Sequence, residues 1–317
     1  MKKQYTILYI TLTITFLNLL VIAFILRSHN REKTNIGERM EYLDDGIEVP
    51  VSFTTDVKLP KQITFAGESV PLNRIDVQES LRKELIVNTY LHSHTIQIMK
   101  KAPRIFAIIE PILKSNNIPE DFKYLAVIES SLDPLALSPS GAVGIWQFME
   151  GTAKDFKLEI NKEVDERYNI EKATYAATQY LKKAYERFGS WTATAAAYNA
   201  GQNMIRKQME AQKETDYYDL LLGEETERYV FRILALKQIM THPELYSFIV
   251  KDKYPIEVTK KVKVNGPIPN LADFATEHKI SYKTLKRFNP WLRKNHLRNS
   301  QRKTYEILIP VNTELYK

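Results

Sequence analysis

From about Val77 to Ser247 the apolar residues of this chain return every three or four positions, the spacing that places them on one face of an α-helix. Leu85, Thr89, His92 and Ile96 mark one such face; Phe106, Ile109 and Leu113 mark another. A further helix falls between Leu220 and Met240 and is expected to stop near His242-Pro243, because proline has no amide to donate and its ring clashes with the preceding turn. A chain with this pattern must bury helix against helix, so a mostly α domain is expected.

The pattern changes at Tyr254. Ile256 to Thr259, running on through Val262 and Val264, reads as a strand. Asn270 is placed to cap a helix over 271–279, and Ser281 a second one ending at Phe288. Tyr305 to Pro310 closes with another strand, which gives a β-α-α-β unit over residues 254–317. At 317 residues the chain is long enough for one sizeable core and one smaller one.

Charge and cysteine content narrow the chemistry. The chain has no cysteine, which excludes disulfides, thiolate metal sites, a cysteine nucleophile and a lipidated N-terminal cysteine. Of its net charge of +7, the last 67 residues hold 15 Lys and Arg against 6 Asp and Glu. That surplus suggests an anionic partner: a cell wall rich in carboxylates, a membrane surface or nucleic acid. Ile7 to Leu26 is an uncharged run, long enough at about 1.5 Å per residue to cross a bilayer core of roughly 30 Å. It ends in Ile25-Leu26-Arg27 with no small-residue cleavage site, so a retained signal anchor is expected at 7–26 behind a short tail at 1–6. Lys2 and Lys3 against Arg27, Arg31 and Lys33 leave its orientation undecided by charge. Residues 27–84, with Pro50, Pro60 and Pro71, read as a spacer that partly packs on the helical domain at 85–247.

One residue in the helical region is chemically out of place. Residues 118–131 open with Pro119, suited to a first helical position, and with Glu120 and Asp121, which favour the positive end of the helix dipole. Phe122, Leu125, Ala126 and Glu129 then share one face, flanked by Tyr124, Val127 and Ile128. Glu129 therefore continues an apolar stripe. Burial disfavours its charged form and raises its pKa, which suits a carboxylic acid that must donate a proton near neutral pH. The plainer account pairs it with an arginine such as Arg228 or Arg232.

Three more stretches accompany it. After a turn at 130–134, residues 138–149 carry Ser138, Gly141 and Gly144, then Trp146 and Phe148 with Gln147 between them, its amide expected to point away from the core. An alanine-rich helix from Trp191 presents Tyr198 and Asn199 just before Gly201, a natural helix stop. Tyr229 begins a core-facing segment and either orients Glu129 or is simply a buried tyrosine with a backbone partner.

The order Glu129-Ser130, Gly141-x-x-Gly-x-Trp-Gln147, Ala197-Tyr-Asn-Ala-Gly201 and Tyr229 resembles the soluble-lytic-transglycosylase family of lysozyme-like proteins, and within it the D-type membrane-bound murein transglycosylases. Trp146 stands where many relatives have Met or Leu. The resemblance implies a mainly α lysozyme-like catalytic domain at 85–247, beside an N-terminal transmembrane helix and the small β-α-α-β domain. It also implies cleavage of peptidoglycan between N-acetylmuramic acid and N-acetylglucosamine, with 1,6-anhydromuramoyl ends. Glu129 would be the catalytic acid and then base. Ser138, Gln147, Tyr198 and Asn199 would bind substrate, and Tyr229 would position Glu129. No cofactor or metal is required. The C-terminal unit is similar to LysM modules, although Pro269-Asn270-Leu271 stands in place of their usual Gly-Asp-Thr-Leu. The expected partners are peptidoglycan glycan strands and, through the anchor, a membrane, but not nucleic acid; no protein partner is legible. The expected place is the periplasmic face of the inner membrane, or the periplasm if the N-terminus is cleaved.

Two other readings compete. A goose-type lysozyme-like hydrolase would use water and need a second carboxylate, for which Glu150, Asp155, Glu163 and Asp165 are the nearby candidates, Asp133 being read as turn chemistry. A non-catalytic wall-binding scaffold would have no use for an intact Glu129 and its accompanying motifs.

Overall fold

The computed structural model describes residues 56–316 and the backbone of two short paired strands, β1 (Met40–Tyr42) and β2 (Glu48–Pro50), which run antiparallel with Met40 opposite Pro50. The anchor expected at 7–26 lies outside the described residues, as do the tail at 1–6 and most of the spacer up to residue 55. Among the described residues no helix is long and apolar enough to cross a membrane.

Residues 57–250 form the helical part. A hairpin of β3 (Thr64–Phe65) and β4 (Glu68–Ser69) precedes α1 (Ile75–Tyr90), α2 (His92–Ser115), a 3-10 turn at Glu120–Phe122 and α3 (Lys123–Ser130). Then come α4 (Glu150–Asp155), α5 (Ile170–Phe188), α6 (Trp191–Ala200), α7 (Gln202–Gln212) and α8 (Glu224–Thr241). The core takes in Val57, Ile63, Phe65, Val70, Val77 and Leu81, so residues from the expected spacer are fully part of this packing. Helix α8 runs against α1, α3 and α6, which makes it the element on which the site-bearing helices converge.

The spacing Leu85-Thr89-His92-Ile96 predicts one helix, but the chain breaks at Leu91. At the break Thr95 Oγ1 donates to the Asn88 carbonyl at 2.6 Å, the acceptor that an unbroken helix would offer to the amide of residue 92.

Helix α6 lies deep because its residues are small: Ala193, Ala195, Ala196 and Ala197 are all buried, so α5, α7 and α8 approach it closely. Its first amides are met by a carboxylate from another element. Glu68, on the hairpin, accepts from the Trp191 amide at 2.6 Å and from the Thr192 amide and hydroxyl at 2.8 and 2.6 Å; Ser190 Oγ joins at 3.1 Å. A negative group at a helix N-terminus satisfies otherwise orphaned donors and the macrodipole together.

The C-terminal unit is the expected β-α-α-β: β5 (Thr259–Val264), α9 (Leu271–Glu277), α10 (Tyr282–Phe288) and β6 (Tyr305–Pro310), with Thr259 opposite Pro310 in the antiparallel pair. Asn270 and Ser281 cap the two helices as their positions predict. The strand begins at Thr259 rather than Ile256, whose side chain is exposed; α9 stops at Glu277 because Lys279 turns into the left-handed region at φ 58°. Buried Asn289 ties the layers, donating to Leu285 and Leu308 carbonyls and accepting from the Leu308 amide.

Removing the hairpin's cap tests this architecture. Glu68→Ala is expected to lower the unfolding free energy by about 2 kcal/mol, which is Tm lower by about 5 °C for a domain of this size. Thermal unfolding followed by circular dichroism measures it, and an unshifted Tm would show that the hairpin does not cap α6.

Candidate active site

Glu129 occupies the last turn of α3; Leu125 and Ala126 on that helix and Phe122 just before it are fully buried along the same face. Its carboxylate Oε1 accepts a short hydrogen bond from the hydroxyl of Tyr229, a buried residue on α8. Glu129 keeps an edge open to solvent. Protein nevertheless surrounds it on enough sides that burial is the largest influence on the carboxyl and pushes its pKa from 4.5 to about 7. The Tyr229 hydrogen bond and the field of Arg232 work against this, and the carboxylate of Glu225 works with it.

The arginine pairing that would have neutralised Glu129 is absent. Arg228 is bound to buried Glu84 at 2.6 Å and to Glu224 at 3.3 Å. Arg232 makes no ion pair with Glu129 and reaches it only through its field. The carboxyl is thus desolvated without a cation beside it, the condition under which an acid keeps its proton near neutral pH.

The chain then turns sharply. Ser130 Oγ donates to the carbonyls of Ala126 and Ile145, at 3.1 and 3.0 Å, fastening the end of α3 to the glycine loop. Ser131 and Leu132 both take left-handed backbone, at φ 53° and 57°, which costs about 1–2 kcal/mol per residue. Burial of Leu132 and the bond from Lys101 Nζ to the Ser131 carbonyl hold the turn. Asp133 accepts from the Leu135 amide at 2.9 Å, a turn role as its position predicts.

The glycine loop holds Trp146 and Phe148 in the core, Trp146 Nε1 donating to Thr174 Oγ1 at 2.9 Å. Gly144 is required twice over: its φ is +76°, and a Cβ there would lie 2.1 Å from the carbonyl oxygen of Arg167. Gln147 departs from expectation. Its amide nitrogen turns inward to the Gly144 and Ala136 carbonyls, at 2.8 and 3.3 Å, and only its carbonyl oxygen is left without a partner among the described residues. The left-handed backbone at Gln147, φ 49°, folds the side chain back over its own loop. Ser138 is also drawn into the loop: its hydroxyl accepts from the Ala142 amide at 2.9 Å and meets Ser140 Oγ at 3.0 Å.

Tyr198 and Asn199 come to the same region from α6. The Tyr198 hydroxyl donates to the Trp146 carbonyl at 2.7 Å, and its ring packs edge-on against Tyr180, 5.0 Å between centroids. Burial first, then the negative field of Glu129, pushes the phenols of Tyr198 and Tyr229 up, so both stay protonated donors. Asn199 accepts from Thr226 Oγ1 at 2.9 Å and donates to Glu225 at 3.3 Å, so its amide ties α6 to the start of α8.

The structure therefore joins Glu129 to Tyr229 directly and brings Tyr198, Trp146 and the Gln147 loop beside them, while Ser138 bonds only within its turn. Of the four carboxylates considered as second catalysts, Glu150 pairs with Lys154, Asp165 with Arg167 and Glu163 with the C-terminal unit; Asp155 is exposed at the end of α4. The carboxylate that does act on Glu129 is Glu225, which sequence reasoning passed over although it precedes Tyr229 by four residues and so shares its helical face. Arg167 was also missed. Besides Asp165 its partners are the carbonyls of Gly141 and Phe148, which no sequence pattern identifies. Among the described residues no group of three or more His, Asp or Glu is placed to hold a metal ion. A cavity of about 650 Å³ between Phe106, Tyr124, Met240 and Phe248 does not include Glu129, and its one deep cation, Lys123, is already paired with Glu110 and Glu120.

These elements define a mainly helical, lysozyme-like domain followed by a small two-stranded unit. Residues 106–221 match the Transglycosylase SLT domain family, and residues 260–313 match the soluble lytic transglycosylase C-terminal LysM-like domain; the chain carries both domains. Over 266 residues it is 29% identical to the membrane-bound lytic murein transglycosylase D of Escherichia coli (strain K12), covering 81% of this chain and 56% of that protein. The chain thus spans little more than half the length of that relative. Among solved structures, the 70 kDa soluble lytic transglycosylase of Escherichia coli is similar at 23% identity and a TM-score of 0.37, over 46% of this chain and 26% of that one. The lytic transglycosylase Slt of Pseudomonas aeruginosa is similar at 20% identity and a TM-score of 0.35, over 48% and 26%.

Two outcomes test the site. The folded carboxyl of Glu129 holds its proton up to about pH 7, whereas the unfolded one releases it near 4.5. Its contribution to stability is complete below the lower value and is lost as pH rises through the higher one. Glu129→Gln is therefore expected to gain about 1–3 kcal/mol relative to wild type between about pH 4 and pH 8, read from urea unfolding at both. A gain that does not change with pH would mean that the carboxyl titrates normally. Gly144→Ala is expected to destabilise by about 3 kcal/mol or more, since backbone and not a flexible side chain blocks the new Cβ.

Proposed function

We propose that this protein is a peptidoglycan lytic transglycosylase that cleaves the β-1,4 bond from N-acetylmuramic acid to N-acetylglucosamine and leaves 1,6-anhydromuramoyl ends. The observation that carries this is Glu129: a carboxyl protonated up to about pH 7, held by Tyr229 and not by a cation, within a transglycosylase SLT domain. Glu129 donates its proton to the glycosidic oxygen as the C1–O bond breaks. The resulting carboxylate takes the proton of the muramoyl C6 hydroxyl, whose oxygen closes on C1. The proton count returns to its start and no water is consumed. A group acting as acid and then base works best with a pKa near the working pH, and burial supplies that value here. The Tyr229 hydroxyl steadies the carboxylate in the interval when it is charged, since a bond donated to the ionised form stabilises that form.

Gln147, through its free carbonyl oxygen, is the substrate contact this geometry favours; Tyr198, Asn199 and Ser138 would bind sugar by sharing bonds they already make. The domain arrangement that fits is a tail at 1–6, an anchor at 7–26, a spacer at 27–84 whose residues from 57 on pack into the helical core, a catalytic domain at 85–247 and a LysM-like domain at 254–317. It would hold the enzyme at the periplasmic face of the inner membrane, or leave it free in the periplasm if the N-terminus is cleaved. The basic surplus of the last domain suits an anionic wall.

Mass spectrometry of the soluble products from purified peptidoglycan tests the reading. Anhydromuramoyl ends are expected from wild type, falling by about 100- to 10,000-fold in Glu129→Gln. The rate should decline as pH rises through about 7, where the acid form of Glu129 is lost. Reducing ends, one water heavier, would instead make it a goose-type hydrolase and turn attention to Glu225. No release, where a lysozyme digests the same wall, would favour a wall-binding scaffold.

A further inference from the structure

The loop that carries Gln147 is held by two hydrophobic cores. Ile145, Trp146 and Phe148 belong to the core of the helical part. Val143, in the same loop and 3% exposed, packs instead into the core of the C-terminal unit, where Val164 and Tyr168 join Leu271, Leu292 and Ile307.

The backbone follows the same path. Val164 bridges to Leu292, the Asp165 amide donates to the Trp291 carbonyl at 2.9 Å, and the Arg293 amide donates to the Glu163 carbonyl at 2.7 Å. The Glu163 carboxylate accepts from the Arg298 amide at 2.7 Å. Residues 163–165 are thus zipped along the C-terminal unit. From the end of this segment Arg167 grips Asp165 with two bonds, at 3.0 and 2.8 Å, and donates to the carbonyls of Gly141 and Phe148, each at 3.2 Å. One guanidinium therefore fixes both ends of the loop, and its planar fork suits that task in a way an ammonium cannot. Inside the loop, the Ile145 and Trp146 carbonyls accept from Ser130, next to Glu129, and from Tyr198.

We propose that the C-terminal LysM-like unit positions the Gln147 loop of the catalytic groove, acting through Val143 and the Asp165–Arg167 pair, and so sets how tightly the groove holds a glycan strand. This rests on the proposed function and adds to it: the LysM-like unit braces the loop that carries Gln147 and is not an independent module on a tether. Val143 and Arg167 are positioning residues, since neither is bonded to Glu129.

The test uses the full chain, with soluble uncrosslinked peptidoglycan glycan strands as substrate. Wild type is compared with Val143→Ala, Glu163→Ala and Arg167→Lys, each assayed well below its own Tm. The KM for the strands is expected to rise about fivefold or more in each variant while kcat stays within about twofold. The same substitutions placed on Glu129→Gln should weaken equilibrium binding of the strands by a like factor. If Arg167→Lys does not fold, Val143→Ala and Glu163→Ala decide the matter. A lowered Tm with KM and binding unchanged overturns the proposal and leaves the junction a structural role alone. If wild type forms no anhydro product, the proposed function fails by itself, and the binding comparison still decides whether the C-terminal unit sets the loop.

Discussion

A carboxylic acid keeps its proton near neutral pH only where water is removed from it and no cation replaces the water. The arrangement of the helical part follows from meeting both conditions at Glu129. An apolar helix, α3, brings the group into the interior, and α8 crosses it to provide a phenol instead of a guanidinium. The arginine one position before that phenol is engaged elsewhere, by Glu84 on α1. Had Arg228 faced Glu129, the attraction between opposite charges at contact would have favoured the ionised form and opposed the upward shift that burial produces.

The same economy of charge appears at the joints of the fold. Glu84 with Arg228, Asp121 with Lys237 and Asp165 with Arg167 each join elements far apart in sequence or fix a loop, and each leaves its members well shielded from solvent. Such pairs contribute little net stability compared with apolar contacts of the same volume, but removing one member strands a buried charge at a cost of about 3–5 kcal/mol. Their effect is on geometry. Asp121 Oδ2 also accepts from the Ala66 amide, so one carboxylate sets the hairpin, α8 and the approach to α3 relative to one another. The hairpin in turn carries Glu68, which caps the helix that presents Tyr198.

Strain sits beside the acid. Two consecutive left-handed residues, Ser131 and Leu132, follow Glu129 within three positions, and a third, Gln147, lies in the loop opposite. Neither Leu nor Gln favours this conformation, and the surrounding bonds hold it: Ser130 to the loop, Lys101 to the turn, Gln147 to its own backbone. Backbone that tertiary contacts force into place cannot relax when a substrate arrives, which is what a site requires if its donors are to be set in advance.

Periodicity along the chain determined the helices, the β-α-α-β order, the caps at Asn270 and Ser281 and the place of Glu129 on a buried stripe, because each is a relation between residues a few positions apart. Four separate motifs in family order made the resemblance to the soluble-lytic-transglycosylase family legible as well. Tertiary structure alone decided the rest. It chose Tyr229 over an arginine as the partner of Glu129, brought Glu225 into its field and turned the Gln147 amide inward. It also set Val143 in the C-terminal core. Apart from the Gln147 amide, whose acceptors lie 3 and 11 residues away, these outcomes depend on groups that meet across 15 to 100 or more residues, and several of the acceptors are backbone carbonyls. A carbonyl is the same at every position, so nothing in a sequence marks the one that a distant side chain will find.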